Sequence, residues 1–248
     1  MVTFRKNKIL AKNREGKKGL GIGLVYPCVE AVELIGMLGG FDFINLDGEH
    51  GLFSPESIDV MVRVADGYGL TTTARVPGRN PAVINQFLDR GVIGILGPHV
   101  ETAEEGKALV DACRFTPEGE RSWGGGRGTF YNDPRLIDQP GIQRTEFMEL
   151  ANKEMLVMCQ LESAKSFENI EEILAVEGLD SFSWGTNDLA QSMGYPGRPD
   201  HPAVVAEQDR IADLIHSRGR QMYYDRFTTL ALNDAILDTA EKFLSDNQ

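Results

Sequence analysis

Short apolar runs alternate with helix-like repeats along this chain at intervals of about 25 residues, with no linker between units, a pattern that a parallel sheet covered by helices explains. The runs read as strands are Gly19–Val25, Phe43–Leu46, Thr71–Arg75, Ile93–Leu96, Met155–Glu162, Ser181–Trp184 and Gln221–Tyr224. Between them, apolar residues at helical spacing predict helices over Glu30–Leu38, Ile58–Tyr68, Ala82–Asp89, Glu101–Cys113, Phe147–Asn152, Phe167–Ala175 and Gln208–Arg218, with a capping helix over 4–14. Pro55 after Ser54, and Pro81, stand where first helical turns begin, because a missing N–H costs nothing there. The expected fold is α/β, one (β/α)8 TIM barrel spanning residues 1–248, a length matching the ~250 residues usual for that architecture. Only about twenty residues follow Tyr224 to make a last helix and strand, so the C-terminal end is expected to be irregular.

Composition narrows the partners. A formal charge of −12 argues against a nucleic-acid or anionic-membrane surface. No run approaches the ~20 apolar residues of a membrane span, and the basic start (Arg5, Lys6, Lys8) lacks a signal-peptide core. Cys28, Cys113 and Cys159 are odd in number and far apart, which suits neither a disulfide framework nor a zinc knuckle. The expectation is a cytoplasmic protein with reduced thiols that handles small molecules. The glycines of Gly19–Gly23 are spaced wrongly for a dinucleotide-binding turn.

The chemistry gathers where strands end. The run Phe43-Ile44-Asn45-Leu46 leads straight into Asp47-Gly48-Glu49-His50, and other strands end on Arg75, His99, Gln160 with Glu162, and Asp188. In a barrel these tips converge on one mouth, the C-terminal face that carries active sites. Glu162 and Asp188 are hard oxygen donors suited to Mg²⁺ or Mn²⁺, unless Glu162 pairs with Lys165 and Asp188 merely caps its helix. Arg75 offers a planar fork to a carboxylate or a developing enolate. His50, oriented by Asp47 or another acid, can move protons near neutral pH. No lysine ends a strand, which weighs against Schiff-base catalysis. The segment Arg121–Gly128, glycine-rich with two arginines, reads as an anion cradle or lid, or as a plain surface excursion.

Taken together, these motifs resemble the HpcH/HpaI family of metal-dependent pyruvate aldolases, which share the phosphoenolpyruvate/pyruvate TIM-barrel architecture. The resemblance runs from about Asn7 to His201. It rests on Phe41-Asp42-Phe43 through Asp47-Gly48-Glu49-His50, Arg75 with Asn80-Pro81, Arg114-Phe115 through Arg121, and Gln160-Leu161-Glu162. Val176-Glu177-Gly178-Leu179-Asp180 and Gly185 through Asp188-Leu189 to Met193-Gly194-Tyr195 complete it. It implies a divalent metal (Mg²⁺, Mn²⁺ or Co²⁺) on Glu162 and Asp188, with Gln160 and backbone at Gly185, Thr186 and Asn187 contacting pyruvate. Arg75 would lie on the keto oxygen. His50 would act as acid–base group through a water, with Asp89 an alternative to Asp47 for orienting it. Family members are commonly hexamers with active sites near subunit contacts.

The implied reaction is reversible cleavage of a 4-hydroxy-2-ketoacid to pyruvate, or a close 2-ketoacid, and an aldehyde through a metal-stabilised enolate. Rival readings are a ketoacid decarboxylase or C–C hydrolase of the same superfamily, and a non-catalytic ketoacid-binding protein. The chain departs from the family pattern in four places. Gly185-Thr186-Asn187-Asp188-Leu189 replaces Gly-Pro-Ala-Asp-Leu, and Gly21-Ile22-Gly23 stands where an aromatic residue is usual. His99 occupies a variable position, and the C-terminal end is short. These departures bear on the aldehyde partner more than on the reaction.

Overall fold

A computed structural model describes residues 5–137 and 143–247, so Phe4 of the expected first helix and part of the 114–140 segment lie outside the described residues. Seven strands form one all-parallel sheet, curled in the manner of a TIM barrel: β1 (Gly19–Leu24), β2 (Phe43–Asp47), β3 (Thr71–Arg75), β4 (Gly94–Gly97), β5 (Leu156–Leu161), β6 (Ser181–Trp184) and β7 (Phe227–Ala231). Their order is β6-β5-β4-β3-β2-β1-β7. Every residue of β5 is buried, as expected of a strand covered on both faces. The helices follow the sequence reading closely. Pro55 occupies the first turn of Pro55–Gly67, where Ser54 and Ser57 form a reciprocal capping box, and Pro81 opens Pro81–Leu88 under an Asn80 cap.

Two elements differ from expectation. The predicted helix 167–175 is two short helices, Ala164–Glu168 and Ile170–Leu174, broken at Asn169, whose side-chain amide donates to the Glu101 carbonyl. The predicted strand Gln221–Tyr224 is reduced to a single parallel bridge between Met222 and Phe182. There the Asp225 carboxylate accepts the Met222 N–H at 2.8 Å and turns the chain into the short helix Tyr223–Arg226. Arg226 anchors that turn by donating twice to the Asp180 carbonyl, at 2.7 and 3.1 Å. β7 then precedes the last helix, Leu232–Asn247, and pairs with β1 from Gly19↔Phe227 to Gly23↔Ala231. This is the irregular end that the short C-terminal stretch foreshadowed.

A small apolar cluster of Ile9, Phe43, Leu156 and Met158 fills the barrel below the strand tips. Phe43 packs edge-on against Phe227, with ring centroids 5.1 Å apart. The Phe43 ring also explains Gly21: a Cβ there would lie 2.3 Å from it, so no larger residue fits opposite. The interior volume that an aromatic on β1 would take is filled from β2 instead. The main core spreads between sheet and helices, from Ile22 on β1 to Met222. Among the described residues, no helix is long and apolar enough to cross a membrane.

Candidate active site

The parallel register sets the first part of the site. Asp47 and Arg75 are direct neighbours at the ends of β2 and β3, so their side chains emerge together. Arg75 Nε donates to Asp47 Oδ1 at 3.0 Å and an Nη to Oδ2 at 2.6 Å, a bidentate fork. Its other Nη lies 3.2 Å from Glu49 Oε2. Asp47 also accepts the backbone N–H groups of Glu49 and His50, both at 3.2 Å. Burial pushes the Asp47 carboxyl up, but the Arg75 hydrogen bond and the backbone donors outweigh it and hold it below its ordinary value. Arg75 is correspondingly raised: burial opposes its charge, and Asp47 and Glu49 favour it more.

The second part is acidic. Glu162, just beyond β5, is only 3% exposed, yet among the described residues no lysine or arginine forms an ion pair with it. Lys165 turns away to Glu101 at 3.1 Å, so the local Glu162–Lys165 pair is not formed. Glu162 Oε2 accepts from Gln160 Nε2 at 2.7 Å. Its Oε1 accepts the His99 backbone N–H at 2.6 Å and lies 3.0 Å from His99 Nδ1. Burial first, and then the negative charges of Glu49 and Asp188 against the moderating His99, raise the Glu162 pKa. Asp188 sits in the first turn of the helix Thr186–Ser192, exposed and without a hydrogen bond or ion pair among the described residues. Gly185 precedes it with no room to spare: an added Cβ would fall 1.9 Å from Glu162 Oε2.

These residues fit a divalent cation. Hard carboxylate oxygens gather, with no lysine or arginine ion-paired to Glu162 or Asp188 among the described residues, and the buried Gln160 beside them has an Oε1 with no partner. Among the described residues, no group of three or more His, Cys, Asp or Glu is arranged as a finished metal cage. A pair of carboxylates, with water and substrate completing the coordination, is a common way for proteins to hold such an ion.

A cavity of about 370 Å³ opens at this mouth, lined among others by Asp47, Arg75, Gln160 and Trp184. A larger one, about 850 Å³, lies outside the sheet against the helix Ala103–Cys113, and no strand-tip residue reaches it. Asn233 and Asp234, in the first turn of the helix Leu232–Asn247 that follows β7, also line the mouth. They escaped the sequence reading because the chain after Tyr224 was expected only to end irregularly. Glu49 was visible as a strand-tip acid, but nothing in the sequence announced that it would touch Arg75 and approach His99 (3.5 Å) and His50 (3.8 Å).

His50 and Asp89 do not meet within one chain. The His50 side chain is 65% exposed, with Glu49 as its nearest acid. Asp47 holds its backbone and not its ring. Asp89 ends the helix Pro81–Leu88 and lies against the glycine-rich segment, where its carbonyl accepts the Gly128 N–H at 2.8 Å. Its Oδ1 is buried without a partner, and burial raises its pKa despite Arg121 and Arg90. The two arginines of the segment are engaged inside the protein. Arg121 is buried, donates to the Leu88 carbonyl at 3.3 Å and stacks 4.6 Å from the Phe115 ring; Arg127 pairs with Asp66. Neither reaches the mouth as an anion cradle. Thr186 and Asn187 form the start of the Asp188 helix, Asn187 exposed.

Comparison with known proteins gives a consistent picture. The family model described as HpcH/HpaI aldolase/citrate lyase matches residues 32–245. A 4-hydroxy-2-oxovalerate aldolase from Rhodococcus jostii is 35% identical over 81% of this chain and 73% of its own length. A hydroxypyruvate/pyruvate aldolase from Sagittula stellata is 34% identical over 81% and 76%. Among solved structures, an HpcH/HpaI aldolase from Desulfitobacterium hafniense superimposes with a TM-score of 0.77 at 25% identity, covering 96% of this chain and 95% of the other.

Proposed function

The chain belongs to the HpcH/HpaI aldolase/citrate lyase family, and from that premise we infer that it is a carbon–carbon lyase, a metal-dependent aldolase. It cleaves a 4-hydroxy-2-ketoacid reversibly into pyruvate, or a close 2-ketoacid, and an aldehyde. The observation that carries the metal dependence is the buried Glu162 carboxylate, which among the described residues forms no ion pair with a lysine or arginine, beside the orphaned Gln160 Oε1. Glu162 and Asp188 hold the ion, Mg²⁺, Mn²⁺ or Co²⁺. When bound, a divalent cation supplies Lewis-acid stabilisation of negative charge on the keto oxygen.

The remaining work belongs to the chain itself. Cleavage leaves the electrons of the broken bond on the keto oxygen, and a fixed donor aimed at that oxygen stabilises the change. Arg75 carries five N–H groups. Asp47 and Glu49 hold it through its Nε and one contact on each terminal nitrogen, which fixes the plane of the fork and leaves further N–H groups for the substrate. Gln160, with Gly185, Thr186 and Asn187, binds the ketoacid end, the Gln160 amide oriented by its bond to Glu162. His50 removes the proton of the 4-hydroxyl through a water. Its exposure leaves the ring free to do so; Asp47 or Asp89 is the acid proposed to orient it, although neither carboxylate reaches the ring within one chain. Exposed Leu34, Met37 and Leu38 on one helix, with Ile236, Leu237, Phe243 and Leu244 on the last, support an oligomer, a hexamer by family resemblance.

The test separates the roles of Arg75 and His50. Decarboxylation of oxaloacetate forms the same enolate but has no hydroxyl proton to remove. Arg75→Ala is expected to damage both oxaloacetate decarboxylation and aldol cleavage, by ~10²–10³ in turnover. His50→Ala is expected to damage aldol cleavage by ~10²–10⁴ and decarboxylation far less. Equal losses for His50→Ala on both substrates would remove it from the proton-transfer role.

A further inference from the structure

His99 stands in a conformation that its residue type seldom adopts, with φ at +52°, and the surrounding contacts explain why it stays there. Arg79 donates to the His99 carbonyl at 2.6 Å while gripping Glu105 with both terminal nitrogens, at 2.8 and 2.9 Å. Glu105 in turn accepts the Glu101 N–H at 2.7 Å. The turn after β4 is thus tied to the helix behind it, and the left-handed backbone points both the N–H and the ring of His99 at the acidic side of the mouth.

The separations there have a chemical meaning. His99 Nδ1 is 3.0 Å from Glu162 Oε1, and Nε2 is 3.5 Å from Glu49 Oε1. Two donors bound to one cation at ~2.1 Å, at right angles, lie roughly 3.0 Å from each other. The Nδ1–Oε1 separation is that of a direct contact between ring and carboxylate. It also equals the spacing of adjacent ligands on a shared ion, so an ion can take the place of the contact with little movement of either group. The ring faces Glu162 and Glu49 but is 58% exposed, so it can turn about its side-chain bonds. Among the described residues His99, Glu162 and Asp188 are not assembled beforehand as three donors, and they come together only on the ion.

We propose that His99 is a nitrogen donor to the cation held by Glu162 and Asp188, and that it shifts the site's preference from Mg²⁺ toward Co²⁺. This rests on the assignment of that carboxylate pair. The chemistry of the shift is general: imidazole suits transition metals, whereas Mg²⁺ prefers oxygen and keeps its waters, so a nitrogen helps one ion much more than the other. The competing arrangement is a ring that only bridges the carboxylates of Glu49 and Glu162. Such a ring has to be displaced by any metal, so its removal would strengthen all ions alike.

The experiment is calorimetric titration of metal-stripped protein with Mg²⁺ and with Co²⁺, for wild type, His99→Ala, His99→Asn and Asp188→Ala. Asparagine tolerates the left-handed backbone but lacks the ring, so it separates loss of the donor from relaxation of the turn. Both His99 variants are expected to lose on the order of tenfold or more in Co²⁺ affinity, as removal of even a supporting group typically does, with Mg²⁺ affinity little changed. The visible absorption of the bound Co²⁺ is expected to change as nitrogen leaves its coordination. Equal changes for the two ions, no change, or stronger binding of both would overturn the proposal. If Asp188→Ala retains wild-type affinity for both ions, the carboxylate-pair assignment itself fails, a result distinct from any that His99 variants give.

Discussion

Replacing Gly185 by alanine perturbs the site by one methyl group, and the structure states where that methyl would go. The backbone at Gly185 has φ −106° and ψ 80°, so the residue does not need glycine for conformational reasons. Space is the constraint. The Cβ would lie 1.9 Å from Glu162 Oε2, 2.6 Å from Glu162 Cβ and 2.7 Å from Gln160 Nε2. Ordinary contacts are about 3.5–4.0 Å, so the carboxylate must retreat by roughly 1.5 Å or more. Both neighbours are buried, and Glu162 Cβ is fixed to the backbone beyond β5, so the retreat disturbs packing. Overpacking of this kind costs ~1–3 kcal/mol. Displacement of a reacting group by about 1 Å costs ~10² in rate. The stability loss is read by denaturant titration, and the rate by pyruvate release at saturating metal. Gly125→Ala is the control, since nothing lies within 4 Å of its Cβ. A Gly185→Ala protein as stable and as active as the Gly125→Ala control would refute the packing of Gly185 on Glu162.

Glu162→Ala and Asp188→Ala are each expected to abolish turnover and weaken metal binding, measured by metal titration of the folded variants. Asp47 is held below its ordinary value by Arg75 and backbone donors in spite of burial, so its contribution to stability is present above the usual aspartate pKa. It is lost as pH falls below about 4 and through the depressed value. Asp47→Asn should therefore melt below wild type at pH 7, with the gap narrowing in acid. Light scattering on the purified protein should return a multiple of the chain mass, six by resemblance, and a monomer would leave the exposed apolar helix faces unexplained.

The sheet was legible because its strands are short apolar or β-branched runs set between helix-like repeats, and six of the seven described strands lie where those runs predicted. The register that joins Asp47 to Arg75 then follows from neighbouring strands of like length. The C-terminal end was not legible. Gln221–Tyr224 looks like a strand, and only the Asp225 cap and the Arg226 anchor on Asp180 make it turn. Local spacing also misleads at Lys165. Three residues from Glu162, it lies in the first turn of the helix Ala164–Glu168 and pairs with Glu101 instead. The sequence around Gly97-Pro98-His99 carries no sign of a left-handed histidine, because Arg79 and Glu105, which hold it, come from other elements. Asp89 was named as a partner for His50 through resemblance, and within one chain it lies against the 124–128 segment.

The most direct test of metal-dependent aldol cleavage is pyruvate release from 4-hydroxy-2-ketoacids, followed on protein stripped by chelation and on the same protein after metal is restored. A panel of substrates that includes 4-hydroxy-2-oxovalerate lets the aldehyde portion vary. The stripped protein should release no pyruvate above background, and Mg²⁺, Mn²⁺ or Co²⁺ should restore turnover in the wild type but not in Asp188→Ala. Pyruvate released at an undiminished rate by the stripped protein, or none from any substrate with every metal, would contradict the assignment.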